Sequence, residues 1–219
     1  MKKKLFLLFI LLPLISFSQT TSEKKLGSWY MYHGNHQITD RFLLQSGFQV
    51  RTYEVVENHN LSFGYLGIGY RTKSKVLFTI KYGYIEIDRS IEFNEQPNAI
   101  EHRVMEDVFY AFKMNKHRIT QRLRGEHRFI HFMSSNIQQH RLRYRLGYQY
   151  PLFKKLTFDI NNEFFFHSEG KSYVENRFIV GMRIKTSKSV SLNFGYMKQF
   201  INNQYLDRLQ LGLVLNTSF

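Results

Sequence analysis

The side chains best suited to chemistry form a central group of alternating charged residues. Two neighbouring segments of the sequence, 122–128 and 141–145, each carry a charged residue at every second position. Because successive side chains of a β-strand point to opposite faces, each row would lie on one face of its strand. One connection joins the two segments, so we expect antiparallel pairing with both rows on the same face. The residues of this arginine ladder are Arg122, Arg124, Glu126, Arg128, Arg141, Arg143 and Arg145.

The arginine ladder admits two interpretations. The following segment adds Asp159 and Glu163, so that six arginines face three acids and pairing with these acids cannot neutralise the group. Arginine forks bind carboxylate or phosphate, and rings of basic side chains select anions in pores. Alternatively, the charges form a salt-bridge network that fills the interior of a narrow barrel. The ladder residues and Glu163 are therefore our candidates for a lumen or anion-binding site.

A second set of residues raises the alternative of an enzyme. His131, His140, His167 and Ser168 lie near predicted outer loops. A Ser–His hydrolase needs both side chains within hydrogen-bond reach. The adjacent His167 and Ser168 would point to opposite faces of a continuing strand, whereas His131 and His140 flank one loop and could approach each other. We predict a non-enzymatic protein, with a lipid-modifying hydrolase at the outer rim as the alternative.

Metal and cofactor chemistry finds little support in the sequence. The chain has no cysteine, which excludes disulfides and thiolate metal sites. The acids of segment 88–101 do not follow the spacing of a calcium loop. Glycine-rich nucleotide motifs are absent; Gly64, Gly67 and Gly69 fall within an expected strand, where they would relieve curvature or crowding. We predict no metal and no cofactor.

The elements that must position the ladder are amphipathic strands. From residue 40 onward, runs of about ten residues alternate apolar and polar positions, which is the length that a tilted strand needs to cross a bilayer. The mean hydropathy is negative, −0.37, although the chain has 21 Phe and 14 Tyr. A membrane barrel combines an apolar outside with a polar lumen. The pattern predicts an all-β fold, a transmembrane antiparallel up-and-down β-barrel of 10–12 strands.

The connections predict the orientation of this barrel. Short turns are expected as periplasmic connections and longer polar segments as outer loops. The turns are 72–75, 114–117, 151–155 and 186–189, and the loops lie near 53–60, 88–101, 133–139, 168–175 and 201–207.

The strand count has a parity problem. We count ten strands after residue 40, and segment 26–36 resembles an eleventh, but bacterial single-chain barrels have even counts. Either this segment sits at the rim or in the lumen, or two strands have been merged and the count is twelve. We prefer ten strands.

The first residues predict export. Three lysines after Met1 precede a short apolar run and a small-residue exit, which is typical of a signal peptide. The apolar run is too short for a transmembrane helix, which needs about 20 residues. We predict a signal peptide at 1–18, an N-terminal segment at the rim or in the lumen at 19–39, and an outer-membrane barrel at 40–219.

Charge and export together indicate the partners. The formal net charge is +14, which favours anionic partners. An exported chain rarely meets nucleic acid, so we predict none and expect outer-membrane lipid, lipopolysaccharide or acidic solutes. The last strand alternates apolar residues and ends on Phe219, which resembles the signal that bacterial barrel-assembly machinery recognises. The expected location is the bacterial outer membrane.

Four stretches of the sequence resemble one known family. They are Gly27–Trp29, the central 122–129 segment, the 141–145 strand and the terminal Phe219. In these the chain resembles domain-of-unknown-function family 2490 (DUF2490), outer-membrane proteins of Bacteroidetes. The resemblance implies a β-barrel and no established activity, so it assigns no functional residues.

Overall fold

The protein is a β-barrel built from eleven strands within the described part of the chain. The computed structural model describes residues 25–89, 98–168, 173–201 and 204–219. The predicted signal peptide lies outside these residues. Within them, no helix is long and apolar enough to cross a membrane. The strands are β1 Gly27–Gln37, β2 Phe42–Thr52, β3 His59–Arg71, β4 Leu77–Ile87, β5 Ala99–Met114, β6 His117–His131, β7 Asn136–Pro151, β8 Leu156–His167, β9 Tyr173–Lys185, β10 Val190–Ile201 and β11 Gln204–Ser218.

The sheet closes on itself through its first and last strands. Each strand pairs with its sequence neighbours in antiparallel fashion, and β1 pairs with β11 in parallel. The parallel pair is a necessary result of an odd count, because the first and last strands of an odd meander run in the same direction. The predicted all-β barrel of 10–12 strands is confirmed, and its description as antiparallel is corrected at this one seam.

β1 corrects the predicted place of the N-terminal segment and the preferred count of ten. Segment 26–36 was expected at the rim or in the lumen, but β1 is a full strand of the wall. Its Trp29 lies opposite Arg51 of β2 and opposite Gln210 of β11. In this position β1 covers two strand edges that would otherwise expose unpaired backbone groups, which is the physical reason for its inclusion.

The two faces of the wall differ sharply in polarity. On β4, Thr79 and Lys81 point inward and are 6% and 7% exposed, whereas Phe78 and Tyr82 point outward and are 47% and 52% exposed. A water-soluble domain has the opposite arrangement, with charges outside and aromatic residues inside. The alternation that we read from the sequence thus produces an apolar outer wall around a polar interior.

The two ends of the barrel carry different connections. The short-turn end carries connections 38–41, 72–76, 115–116, 152–155 and 186–189, and the chain terminus Phe219. The loop end carries connections 53–58, 88–98, 132–135, 168–172 and 202–203. All five predicted outer loops are shorter than expected, and two are shortened most in proportion to their length, because β7 and β11 begin well inside them. These two are the loops near 133–139 and 201–207.

The chain enters the wall at the loop end. Lys25 Nζ donates a hydrogen bond of 2.8 Å to Glu54 Oε1, which lowers the pKa of the Glu54 carboxyl. Arg208 Nη1 donates to the Lys25 carbonyl oxygen at 2.8 Å. These contacts fix the start of β1 between β2 and β11.

Candidate anion-binding lumen

The strand register brings the arginine ladder together on the inner face of β6 and β7. Arg122 lies opposite Arg145, Arg124 opposite Arg143, and Glu126 opposite Arg141. The predicted antiparallel pairing of the two rows is therefore correct. Two of these three cross-strand pairs have like charges, so the arginines must find their carboxylates on other strands or diagonally.

Glu126 is the centre of the interior charges. Its side chain has no exposed surface, and its carboxylate contacts Arg141 Nη2 at 2.5 Å and Arg143 Nη1 at 2.6 Å. Arg103 and Arg124 each approach it to 3.7 Å. A carboxylate buried in this way is compatible with folding only because several donors surround it.

Glu163 of β8 joins the same network from the other side. It contacts Arg122 at 2.5 Å and Arg143 at 2.9 Å. Arg145 lies opposite Glu163 in the register, but its Nε donates to Asn161 Oδ1 at 3.0 Å. Arg145 thus lacks a carboxylate partner among the described residues and keeps an uncompensated charge at the lumen.

Four further charged residues belong to the same network of ion pairs, although the sequence did not identify them as candidate site residues. Asp107 contacts Lys81 at 2.6 Å and Arg124 at 2.5 Å. Glu101 contacts Arg103 at 2.6 Å and Arg128 at 2.8 Å. Strand alternation already places Lys81, Arg103 and Asp107 on the polar face of their segments. Glu101 was expected in the 88–101 loop, but it lies in β5 and is fully buried. The missing information is the register of β4 against β5, which are separated by the 88–98 connection.

The lumen network carries excess positive charge. Among the described residues, its ion pairs join seven cationic side chains to four carboxylates. Opposed low-dielectric walls strengthen the field of such charges and concentrate counter-ions. The arrangement therefore favours an anion in the lumen. The members are Lys81, Glu101, Arg103, Asp107, Arg122, Arg124, Glu126, Arg128, Arg141, Arg143 and Glu163.

Buried apolar side chains lie inside the barrel toward the loop end. Ile85, Met105, Phe165 and Met197 are each at most 1% exposed, and we call these four residues the loop-end plug. Arg143 and Arg177 lie over the Phe165 ring, 4.5 and 4.4 Å from its centroid. The plug and the lumen network together occupy the interior on this side.

A basic cavity of about 1230 Å³ occupies the remainder of the lumen. It reaches the short-turn end, where Lys188, Ser189, Thr217 and Ser218 line it. Its basic side chains are Arg51, Arg71, Lys81, Arg103, Arg118, Arg122, Arg124, Arg143, Arg145, Arg177, Arg183 and Lys188, and its acidic side chains are Asp107, Asp159 and Glu163. The lumen is thus a basic pocket with one filled end.

The residues of the hydrolase alternative do not form a Ser–His pair. The Ser168 hydroxyl donates to the backbone carbonyl of His140 at 3.1 Å. The His140 ring contacts the ring of His127, 2.8 Å between the Nδ1 atoms, and His131 Nδ1 lies 3.0 Å from Asn136 Oδ1. The predicted approach of His131 to His140 is wrong, because each ring is paired with another residue.

The outer wall has a polar patch near the middle of β5 and β6. Glu106 alternates with the buried Met105 and Asp107 of β5, and its side chain is 60% exposed and lies 3.9 Å from His127. Within the described residues, no group of three His, Asp or Glu side chains is arranged to hold a metal ion. The patch is therefore a polar interruption of an apolar surface.

Comparison with known proteins places the chain in a family without an assigned activity. No curated protein matches the chain. A family model described as "Protein of unknown function (DUF2490)" matches residues 26–210. The match begins within one residue of β1 and ends in β11, so it covers nearly the whole barrel. The chain belongs to the DUF2490 family of proteins of unknown function.

Proposed function

We propose that this protein is a non-conducting barrel of the bacterial outer membrane whose basic cavity binds small anions from the short-turn side. The Bacteroidetes outer-membrane type, suggested by the resemblance of the sequence, is part of the same proposal. One observation carries it: the lumen is filled at the loop end and has a basic cavity at the other end. A filled end opposes ion flow, and unbalanced cations favour anion binding.

The polarity of the wall supports the membrane location. Large apolar side chains stand exposed around the outside, among them Phe48, Leu66, Ile68, Phe78, Leu142 and Phe178. Such a band meets lipid in outer-membrane barrels, where polar side chains face the lumen. In this proposal the band contacts lipid and lipopolysaccharide. Phe219 is exposed and lies beside Gln37 at the short-turn end. In this proposal it is the residue that the barrel-assembly machinery recognises.

Conductance of the refolded full chain in a planar bilayer tests the closed lumen. We expect no discrete current steps in wild-type protein. Anion-selective steps that weaken in Arg143→Ala or Arg145→Ala would instead establish the alternative of a narrow anion-preferring pore. The salt gradient across the bilayer gives the ion selectivity in the same experiment.

Calorimetric titration with inorganic phosphate tests anion binding. Arg122→Gln combined with Arg145→Gln should weaken binding, because both arginines line the cavity. Arg41→Gln is the matched control, since Arg41 is exposed in the 38–41 connection. If wild-type protein bound no phosphate, or if the double variant bound it like wild type, anion binding in the cavity would be rejected. Only a structural role of the barrel would then remain.

A lipid-modifying hydrolase with its site at the outer rim is the alternative function, and it would make the protein an enzyme. Lipid hydrolysis that is lost when His131, His140, His167 or Ser168 is changed would establish it. The hydrogen bond of Ser168 to a backbone carbonyl instead of a histidine ring favours the binding barrel.

A further inference from the structure

The deep end of the basic cavity contains two buried N–H groups that lack an acceptor. Gln49 and Arg51 lie two residues apart on β2, and both line the cavity. Gln49 is only 8% exposed. Gln49 Nε2 and Arg51 Nε have no hydrogen-bond partner among the residues described. Buried donors without a partner are rare, and an unseen ligand is one of the standard reasons for them.

The orientation of the Gln49 amide follows from its neighbour. Arg51 Nη2 donates to Gln49 Oε1 at 3.2 Å. Because a guanidinium group contains only donors, the amide atom that faces it must be the oxygen. The amide nitrogen then points away from Arg51 with its hydrogens free. The pair has unpaired N–H groups, which suit a ligand group that accepts hydrogen bonds.

The surroundings of Arg51 make the acceptor an anion. Its guanidinium carbon lies 3.7 Å from the centre of the Trp29 ring, and that of Arg177 lies 4.8 Å from the same ring. Arg177 is paired with Glu175. Arg51 forms no ion pair with a carboxylate in the described parts of the chain. Its charged neighbours include Glu175 and three arginines, Arg103, Arg143 and Arg177, so cations outnumber acids around it. A bound anion would relieve this repulsion.

We propose that Gln49 and Arg51, whose guanidinium lies over the Trp29 ring, form an oxyanion subsite for the carboxylate or phosphate group of a small solute. Two oxygens of such a group accept hydrogen bonds from Gln49 Nε2 and Arg51 Nε. Because the acceptor is ionised, both are charge-assisted hydrogen bonds. The subsite rests on the proposed anion-binding cavity and gives it a position and a ligand class.

Trp29 makes the subsite directly observable. It is the one tryptophan in the sequence, so the intrinsic tryptophan fluorescence of the refolded full chain reports on its surroundings alone. Titration with sodium acetate and, separately, with sodium phosphate at constant ionic strength should give a saturable change in emission. Tighter binding of acetate would assign the subsite to carboxylates, and tighter binding of phosphate would assign it to phosphate groups.

A matched pair of glutamine variants tests the assignment. Gln49→Leu should weaken the tighter anion by about ten-fold, the effect of losing one hydrogen bond to a charged group. Gln45→Leu should bind like wild type, because Gln45 lies on the same strand but its Nε2 already donates to Asn35 Oδ1 at 2.8 Å. Circular dichroism and urea unfolding confirm that both variants are folded.

The outcomes separate the subsite from the function on which it rests. Equal affinities in wild type and Gln49→Leu would overturn the subsite. If the Arg122→Gln and Arg145→Gln double variant lost phosphate binding in that case, the anion-binding cavity would be supported without the subsite. A Gln49-dependent fluorescence change in a protein that conducts ions would support the subsite and reject the closed lumen.

Discussion

Glu126 and Arg143 are joined diagonally across two strands, 2.6 Å between Oε1 and Nη1, although the register sets Arg141 directly opposite Glu126. Arg141 bonds the other carboxylate oxygen, and Arg143 continues to Glu163 at 2.9 Å. One buried carboxylate therefore links β6 to β7, and Arg143 links both to β8. These ion pairs tie three neighbouring strands together inside the barrel.

Glu126→Gln should destabilise the barrel by about 3–5 kcal/mol, because the change leaves Arg141 without its carboxylate partner and Arg143 with Glu163 alone. Urea unfolding in detergent micelles, followed by Trp29 fluorescence, measures the free energy. Glu57→Gln is the control, since Glu57 is exposed in the 53–58 connection. Equal free energies for the two variants would mean that Glu126 contributes no net stability.

The inner and outer faces were predictable from the sequence because they depend on a period of two. Alternation placed the two rows of the arginine ladder on one face, and this is confirmed. A fully polar row is recognisable without a partner strand, since each position is read from its own segment. The arginine ladder was found for this reason.

Contacts that depend on register could not be predicted in the same way. Lys81 meets Asp107 only because β4 and β5 are aligned across the 88–98 connection, and alternation does not set that alignment. The parallel seam of β1 was missed because an even strand count was assumed. The free Gln49 amide depends on the side-chain conformation of Arg51, which no sequence pattern contains.

Combined Phe165→Ala and Met197→Ala substitutions should open the loop end. Both side chains are fully buried in the loop-end plug, and we expect their removal to extend the basic cavity toward the loop end. We expect discrete current steps in a planar bilayer where wild type is silent. Phe178→Ala, on the outer wall, is the control and should remain silent. A silent double variant that is folded would show that the charge network alone closes the lumen.

Two acids on opposite faces of β5 should respond in opposite ways to the same substitution. Glu106→Leu removes an exposed charge from the apolar wall and should stabilise the barrel by about 1 kcal/mol in micelles or bilayers. Glu101→Leu removes the partner of Arg103 and Arg128 and should destabilise it by about 3–5 kcal/mol. Urea midpoints of the two variants in the same lipid compare them directly. A loss of stability in Glu106→Leu would argue that a polar partner covers this part of the wall.

Two glycines of β3 test the packing of the wall. A Cβ atom on Gly67 would lie 2.5 Å from the Ile80 carbonyl oxygen and also 2.5 Å from Lys81 Cγ, and backbone cannot yield as a flexible side chain does. Gly67→Ala should therefore destabilise the barrel by about 1–3 kcal/mol. A Cβ atom on Gly64 would meet only Phe48 Cδ2 at 3.9 Å, so Gly64→Ala should be tolerated. Equal unfolding midpoints for the two variants would mean that β3 and β4 can separate at this point without cost.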